Sequence, residues 1–147
     1  MDDFKTEFGI RFTGKIEVKT AGVFRGWAIR TFPDGRSEPI ACGIRSPDGI
    51  GFAPDGECFF TDNQGPWNGS SSLKHLKVGS FQGHPVGNNA FEIAARKSIS
   101  LGVFKTRPAD PKSGSRIVIE RETVSEFVPP TVILPHAILG QSPIGMS

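Results

Sequence analysis

The residues able to do chemistry gather between Gly43 and Pro85, in GIRSPDGIGFAPDGECFFTDNQGPWNGSSSLKHLKVGSFQGHP. Arg45 sits in a Gly-Ile-Arg-Ser loop and reads as exposed. It can pair across a turn with Asp48 or Asp62, as loop arginines often do. Gln64-Gly65-Pro66 is a corner or a plain turn. Asp62-Asn63 offers oxygens to a hard cation, although Asp and Asn in a turn more often bond local backbone. His75, between Leu73 and Leu76 in a short strand, reads as a surface residue. His84 precedes Pro85 in a glycine loop and can serve as a ligand or base; His136 has the same chemistry. Trp27 reads as packing, whereas Trp67, next to Gly-Pro, can also line a cavity. Cys42 and Cys58 lie in or beside strands without metal spacing and read as small buried hydrophobes.

Turn chemistry predicts the elements that hold these groups. The chain has 147 residues, enough for one domain with a core, and 18 glycines and 12 prolines, which favour turns over long helices. Residues 8–19 alternate loosely and predict two short strands around Thr13-Gly14. A strand is expected over 23–32, then a turn at Pro33-Asp34-Gly35 and a return strand over 37–42. Pro47-Asp48-Gly49 predicts a second turn before a strand at 49–53. Pro54-Asp55-Gly56 predicts a third before a strand at 57–62. Residues 73–77 predict a strand and 79–87 a glycine-rich loop. Residues 90–97 are the one stretch of helical composition. Residues 105–116 read as an exposed insertion, 116–127 as strand-like at its start, and 132–134 as a short apolar strand.

The pattern predicts an all-β chain in the sandwich, barrel or propeller group, with one short helix in an inserted loop. The glycine-heavy strand GIGFA favours a propeller, whose inner strands converge where bulky side chains do not fit. The strands amount to about two to three blades. Because single blades cannot bury their own faces, the chain either joins other chains or is a fragment of a longer ring; a fragment is expected, with the remaining blades of the parent chain as its partners. The expected arrangement is a single partial domain over 1–147, with the clearest blades at 23–87, an inserted loop at 88–115 and the start of a further blade at 116–147.

A net charge of +2, with no basic stripe interleaved with aromatics, argues against a nucleic-acid partner. No apolar run reaches the length of a membrane span. Met1-Asp2-Asp3-Phe4 lacks the basic and apolar regions of a signal peptide.

The runs GIRSPDGIGFAPDGECFFTDNQGP and LKHLKVGSFQGHP resemble the quinoprotein glucose/sorbosone dehydrogenase family. They look closest to its large "membrane-bound dehydrogenase domain" propellers. The tail PPTVILPHAILGQSPIGMS resembles the lead-in to a further blade. The likeness covers 23–87 well and 129–147 more loosely; it is weak over 88–128. It implies a six-bladed propeller binding pyrroloquinoline quinone (PQQ) and calcium, in the periplasm or exported. It implies a quinone contact for Arg45, with Ser46 standing where the family usually has a second, asparagine, contact. Gln64, Gly65 and Pro66 match the corner whose backbone carbonyls hold the calcium, and Gly65 also lies against the cofactor.

A fixed guanidinium suits charge developing on a quinone oxygen, and carbonyls from a kinked loop suit calcium. The implied activity is hydride transfer from a sugar, alcohol or aldehyde. That chemistry needs a base for the hydroxyl proton. The family's histidine base lies in an earlier blade, whereas the first histidine here is His75. The alternative is a non-catalytic propeller binding carbohydrate or protein on its top face, towards which Ser46 leans. A purely structural propeller is a third reading.

Overall fold

The computed structural model describes residues 4–5, 11–12, 15–19, 22–112, 114, 117–136 and 138–139. The fold is all-β in class, built on two four-stranded sheets dominated by antiparallel pairing. The first has the order β3-β4-β5-β9: Lys15–Lys19, Trp27–Thr31, Ser37–Cys42 and Ser80–Phe81. The second has the order β10-β8-β7-β6, with β6 at Pro47–Phe52, β7 at Cys58–Asp62, β8 at Ser71–His75 and β10 at Val132–Leu134. A small separate pair joins β1, Phe4–Lys5, to β2, Arg11–Phe12. Among the described residues no sheet closes on itself, and no helix is long and apolar enough to cross a membrane.

Two of the three Pro-Asp-Gly motifs are hairpin turns. Gly35 and Gly56 have φ of 84° and 90°, which glycine adopts without a Cβ clash. Their N–H groups donate to Phe32 O and Ala53 O, while Asp34 and Asp55 accept the N–H two residues on. The third motif corrects the expectation. Pro47-Asp48-Gly49 opens β6, and its extra residue is absorbed by a register shift against β7 between Pro47 and Gly49. β6 is an edge strand, where a proline without an N–H is tolerated.

Two further boundaries move. The strand expected from residue 23 begins at Trp27, after a turn closed by Arg25 N–H to Gly22 O. The strand expected over 73–77 runs from Ser71 to His75. The Thr13-Gly14 break lies outside the described residues, as does the end of the chain beyond residue 139.

The strand-like reading of 116–127 is wrong: Ile117–Thr123 forms helix α2. Its β-branched start suggests a strand, but Glu120 is buried within the helix, and Val124 and Phe127, which follow it, join Trp27 and Phe81 in the core. Tertiary packing at that end overrides local propensity. Helix α1, Asn89–Lys97, matches its expected position and buries Ala90 and Ala94 one turn apart.

The sheets pack face to face over Ala28, Ile40 and Ala41 from the first and Cys58 and Phe60 from the second, with Ile44 and Leu76 from the connections. The opposite face of the first sheet presents Trp27, Ile29, Cys42 and Phe81 to α1 and the 101–127 segment. Trp27 is the centre of this second core. Its ring lies 4.9 Å from Phe104 and 5.4 Å from Phe91, and its Nε1–H donates to Gly87 O at 2.7 Å.

Strand β9 falls where a loop is expected. Gly79 N–H donates to Ile40 O and Gln82 N–H to Cys42 O, so the chain leaving the second sheet is stitched back along β5. That return brings His84 beside Arg45. Cys42 and Cys58 are free and buried in different cores, and burial pushes the Cys58 thiol up to about 12.

Candidate functional site

The site grows from one buried ion pair. Asp62 ends β7 and Lys74 lies in β8; both are buried, and Lys74 Nζ donates to Asp62 Oδ2 at 2.9 Å. The same ammonium donates to Asn68 Oδ1 at 2.7 Å and to Gln82 O at 3.0 Å, which uses all three of its protons. Burial acts to raise the Asp62 carboxyl, but Lys74 and the Ser46 N–H outweigh it and hold Asp62 ionised. Removing one partner from such a pair strands a buried charge, at a cost of about 3–5 kcal/mol.

This pair positions the loop that carries Arg45. Asp62 Oδ1 accepts the Ser46 N–H at 2.7 Å, and Oδ2 accepts the Arg45 N–H at 3.3 Å. The Asp62 carboxylate therefore serves the Arg45 backbone, and among the described residues the guanidinium has no ion pair with Asp48 or Asp62. It lies instead on Gly65, where a Cβ would come within 2.4 Å of Arg45 Cζ. Gly65 has a φ of 146°, so both its backbone and its neighbour require glycine.

The Gly65–Gly69 turn presents the second wall. Asn68 N–H donates to Gly65 O across Pro66 and Trp67, and Trp67 has a φ of 64°. This is a type II turn with proline at its first central position and tryptophan where glycine is favoured. The indole Nε1–H donates to Pro111 O at 3.0 Å, and its ring meets His84 edge-on at 5.3 Å. Gln64 is held through its N–H and side chain by the Ser71 hydroxyl.

His84 closes the cluster. Burial, and then the positive charge of Arg45, push its imidazole down to about 4, so it is neutral at pH 7. Nδ1 accepts the Val86 N–H at 3.2 Å. The neutral ring therefore carries its proton on Nε2 and presents a donor rather than a base. Beside these groups a cleft of about 200 Å³ is lined by Arg45, Ser46, Arg25 and Lys19, with no carboxylate in its lining.

Arg45, Gly65, Trp67 and His84 thus meet at one end of the second sheet, with Ser46 exposed at the rim. His75 does not join them. It lies at the opposite end of β8, paired with Glu57 and stacked on Phe59. His136 is exposed beyond β10. The Asp62 oxygens are committed to Lys74 and backbone, and among the described residues no group of three His, Cys, Asp or Glu could hold a metal ion.

The calcium corner fits only in part. Gly65 O already accepts two N–H groups, from Asn68 and Gly69, each at 3.0 Å. The sequence reading missed Lys74, Asn68 and Gln82. Lys74 shares strand parity with Ser72 and Leu76, and a leucine on that face marks it as the core side.

Fold and site together define an all-β protein of two packed sheets with a cationic cluster at its strand ends. No protein-family model, curated protein or solved structure matches the chain.

Proposed function

We propose that the chain is part of a six-bladed propeller of the glucose/sorbosone dehydrogenase kind, its two sheets being adjacent blades. In this reading Arg45 contacts pyrroloquinoline quinone. The observation that carries the reading is the Arg45 guanidinium, seated on Gly65 without a carboxylate partner among the described residues. A cation immobilised this way is ready for an anionic or polarised oxygen. The His84 Nε2–H adds a neutral donor, and the indole of Trp67 a flat wall. When bound, the quinone supplies the hydride acceptor for a sugar, alcohol or aldehyde.

The residues here bind and orient. The base that takes the hydroxyl proton belongs elsewhere in the parent protein, because Asp62 is locked by Lys74 and His84 has its acceptor nitrogen occupied. Calcium would use the Gln64 and Pro66 carbonyls, since that of Gly65 is taken.

The test is titration of the full chain with PQQ, with and without calcium, followed by the quinone absorbance and by tryptophan fluorescence. Saturable binding weakened at least tenfold by Arg45→Gln is expected. A folded protein that leaves both signals unchanged would sink the reading.

A second reading, a non-catalytic propeller that binds carbohydrate, is favoured by the occupied Gly65 carbonyl and by Ser46. Glycan binding without quinone would select it.

A further inference from the structure

A second cavity, of about 400 Å³, lies at the far end of β8 from Arg45. Ser72 pairs with Asp62 and His75 with Phe59, so the two sites are separated by three strand residues, roughly 10 Å along β8. Its polar rim is His75, Lys77, Arg121 and Ser125, its floor includes Phe127 and Pro129, and its lining contains no carboxylate. Among the described residues neither Lys77 nor Arg121 makes an ion pair. Two unpaired cations therefore face one concave surface.

The walls are held in place. Phe127 is buried and bridges to Phe81, Val128 N–H donates to Phe81 O, and Thr131 N–H donates to Leu73 O. The His75 ring is fixed by Glu57 at Nε2 and by stacking on Phe59 at 4.7 Å, which leaves Nδ1 without a protein partner among the described residues. The two carboxylates bonded to rim residues are engaged: Glu57 is on His75, and Glu126 accepts from the Ser125 hydroxyl.

We propose that this cavity binds a small organic anion, a carboxylate on a compact apolar body, with Lys77 and Arg121 on the carboxylate and the Phe127–Pro129 floor beneath the body. The volume lies in the small-molecule range, and the lining joins two cations to the apolar Phe127, Val128 and Pro129. Inorganic phosphate would use the cations and waste the floor; a neutral analogue would use the floor and waste the cations. The proposal is independent of the quinone reading, and its test does not involve Arg45.

The experiment titrates the full chain with benzoate, benzyl alcohol and inorganic phosphate, followed by amide and imidazole NMR shifts. Benzoate is expected to shift His75, Lys77 and residues 125–129 saturably, and to bind at least tenfold more tightly than the other two. The exposed double variant Lys77→Gln/Arg121→Gln, checked for its fold in the same spectra, is expected to lose at least tenfold in benzoate affinity. In the unaltered protein, affinity should fall as salt rises. The proposal is overturned if these residues do not shift, if benzyl alcohol or phosphate binds as well as benzoate, or if affinity ignores both the variant and the salt.

Discussion

His84 shows how much one neighbour changes a side chain. An exposed histidine titrates near 6.5, whereas this ring is pushed down to about 4 by burial and by the Arg45 charge. Between those values the unfolded chain is protonated and the folded one is not. Stability is therefore lost as pH falls from about 6.5 to 4, by on the order of 1 kcal/mol once solvent screening of this half-buried ring is discounted. Urea midpoints measured across that range should fall with acid. His84→Asn, which keeps an acceptor for the Val86 N–H, should flatten that part of the slope. An unchanged slope would mean that other groups carry it. The sequence offers His84 as a base or ligand; the Val86 hydrogen bond and the cation beside it make it a neutral donor.

The turn from Gly65 to Gly69 links elements that are far apart in the chain. Its tryptophan sits at a positive φ, a conformation that costs a non-glycine residue about 1 kcal/mol or more. In return, the indole ties the 105–112 segment to the second sheet through Pro111 O. Asn88 provides the other tie, donating to Pro108 O and Asp110. Trp67→Asn should keep the turn, because asparagine tolerates that φ, while releasing the segment. Amide order parameters over 105–112 are expected to fall, with β6 to β8 unaffected. Equal order parameters in both proteins would show that Asn88 alone suffices. The segment was expected to be exposed, and much of it is, but Pro108 and Pro111 are buried.

The two sheets share one core, so the molecule should unfold as one unit. Phe60 is fully buried between them, among Ala28, Ile40 and Leu76. Phe60→Ala should cost about 3–5 kcal/mol. Trp27 reports the first sheet when Trp67 is replaced by phenylalanine, and amide exchange in β7 and β8 reports the second. Both are expected to show the same loss. A loss confined to the second sheet would make the sheets independent.

Much of this architecture is legible from short-range chemistry. The turns at Pro33-Asp34-Gly35 and Pro54-Asp55-Gly56, the strands they connect and the helix at 89–97 depend on residues a few positions apart, so their signals are local. Arg45 and Gly65 stand out through the family resemblance alone, and their contact with each other comes from the fold. Contacts between distant residues were not. Pro47-Asp48-Gly49 has the composition of a turn and becomes an edge strand because β7 pairs with it. Residues 117–123 have a strand-like start and become a helix, held by the buried Glu120 and by Val124 and Phe127, which follow it into the core. Lys74 looks like a surface lysine until Asp62, Asn68 and the Gln82 carbonyl surround its ammonium. The local code thus set where the chain turns and which residues could carry charge. Long-range packing set which of those charges are spent on one another and, among the described residues, left the Arg45 guanidinium without a carboxylate.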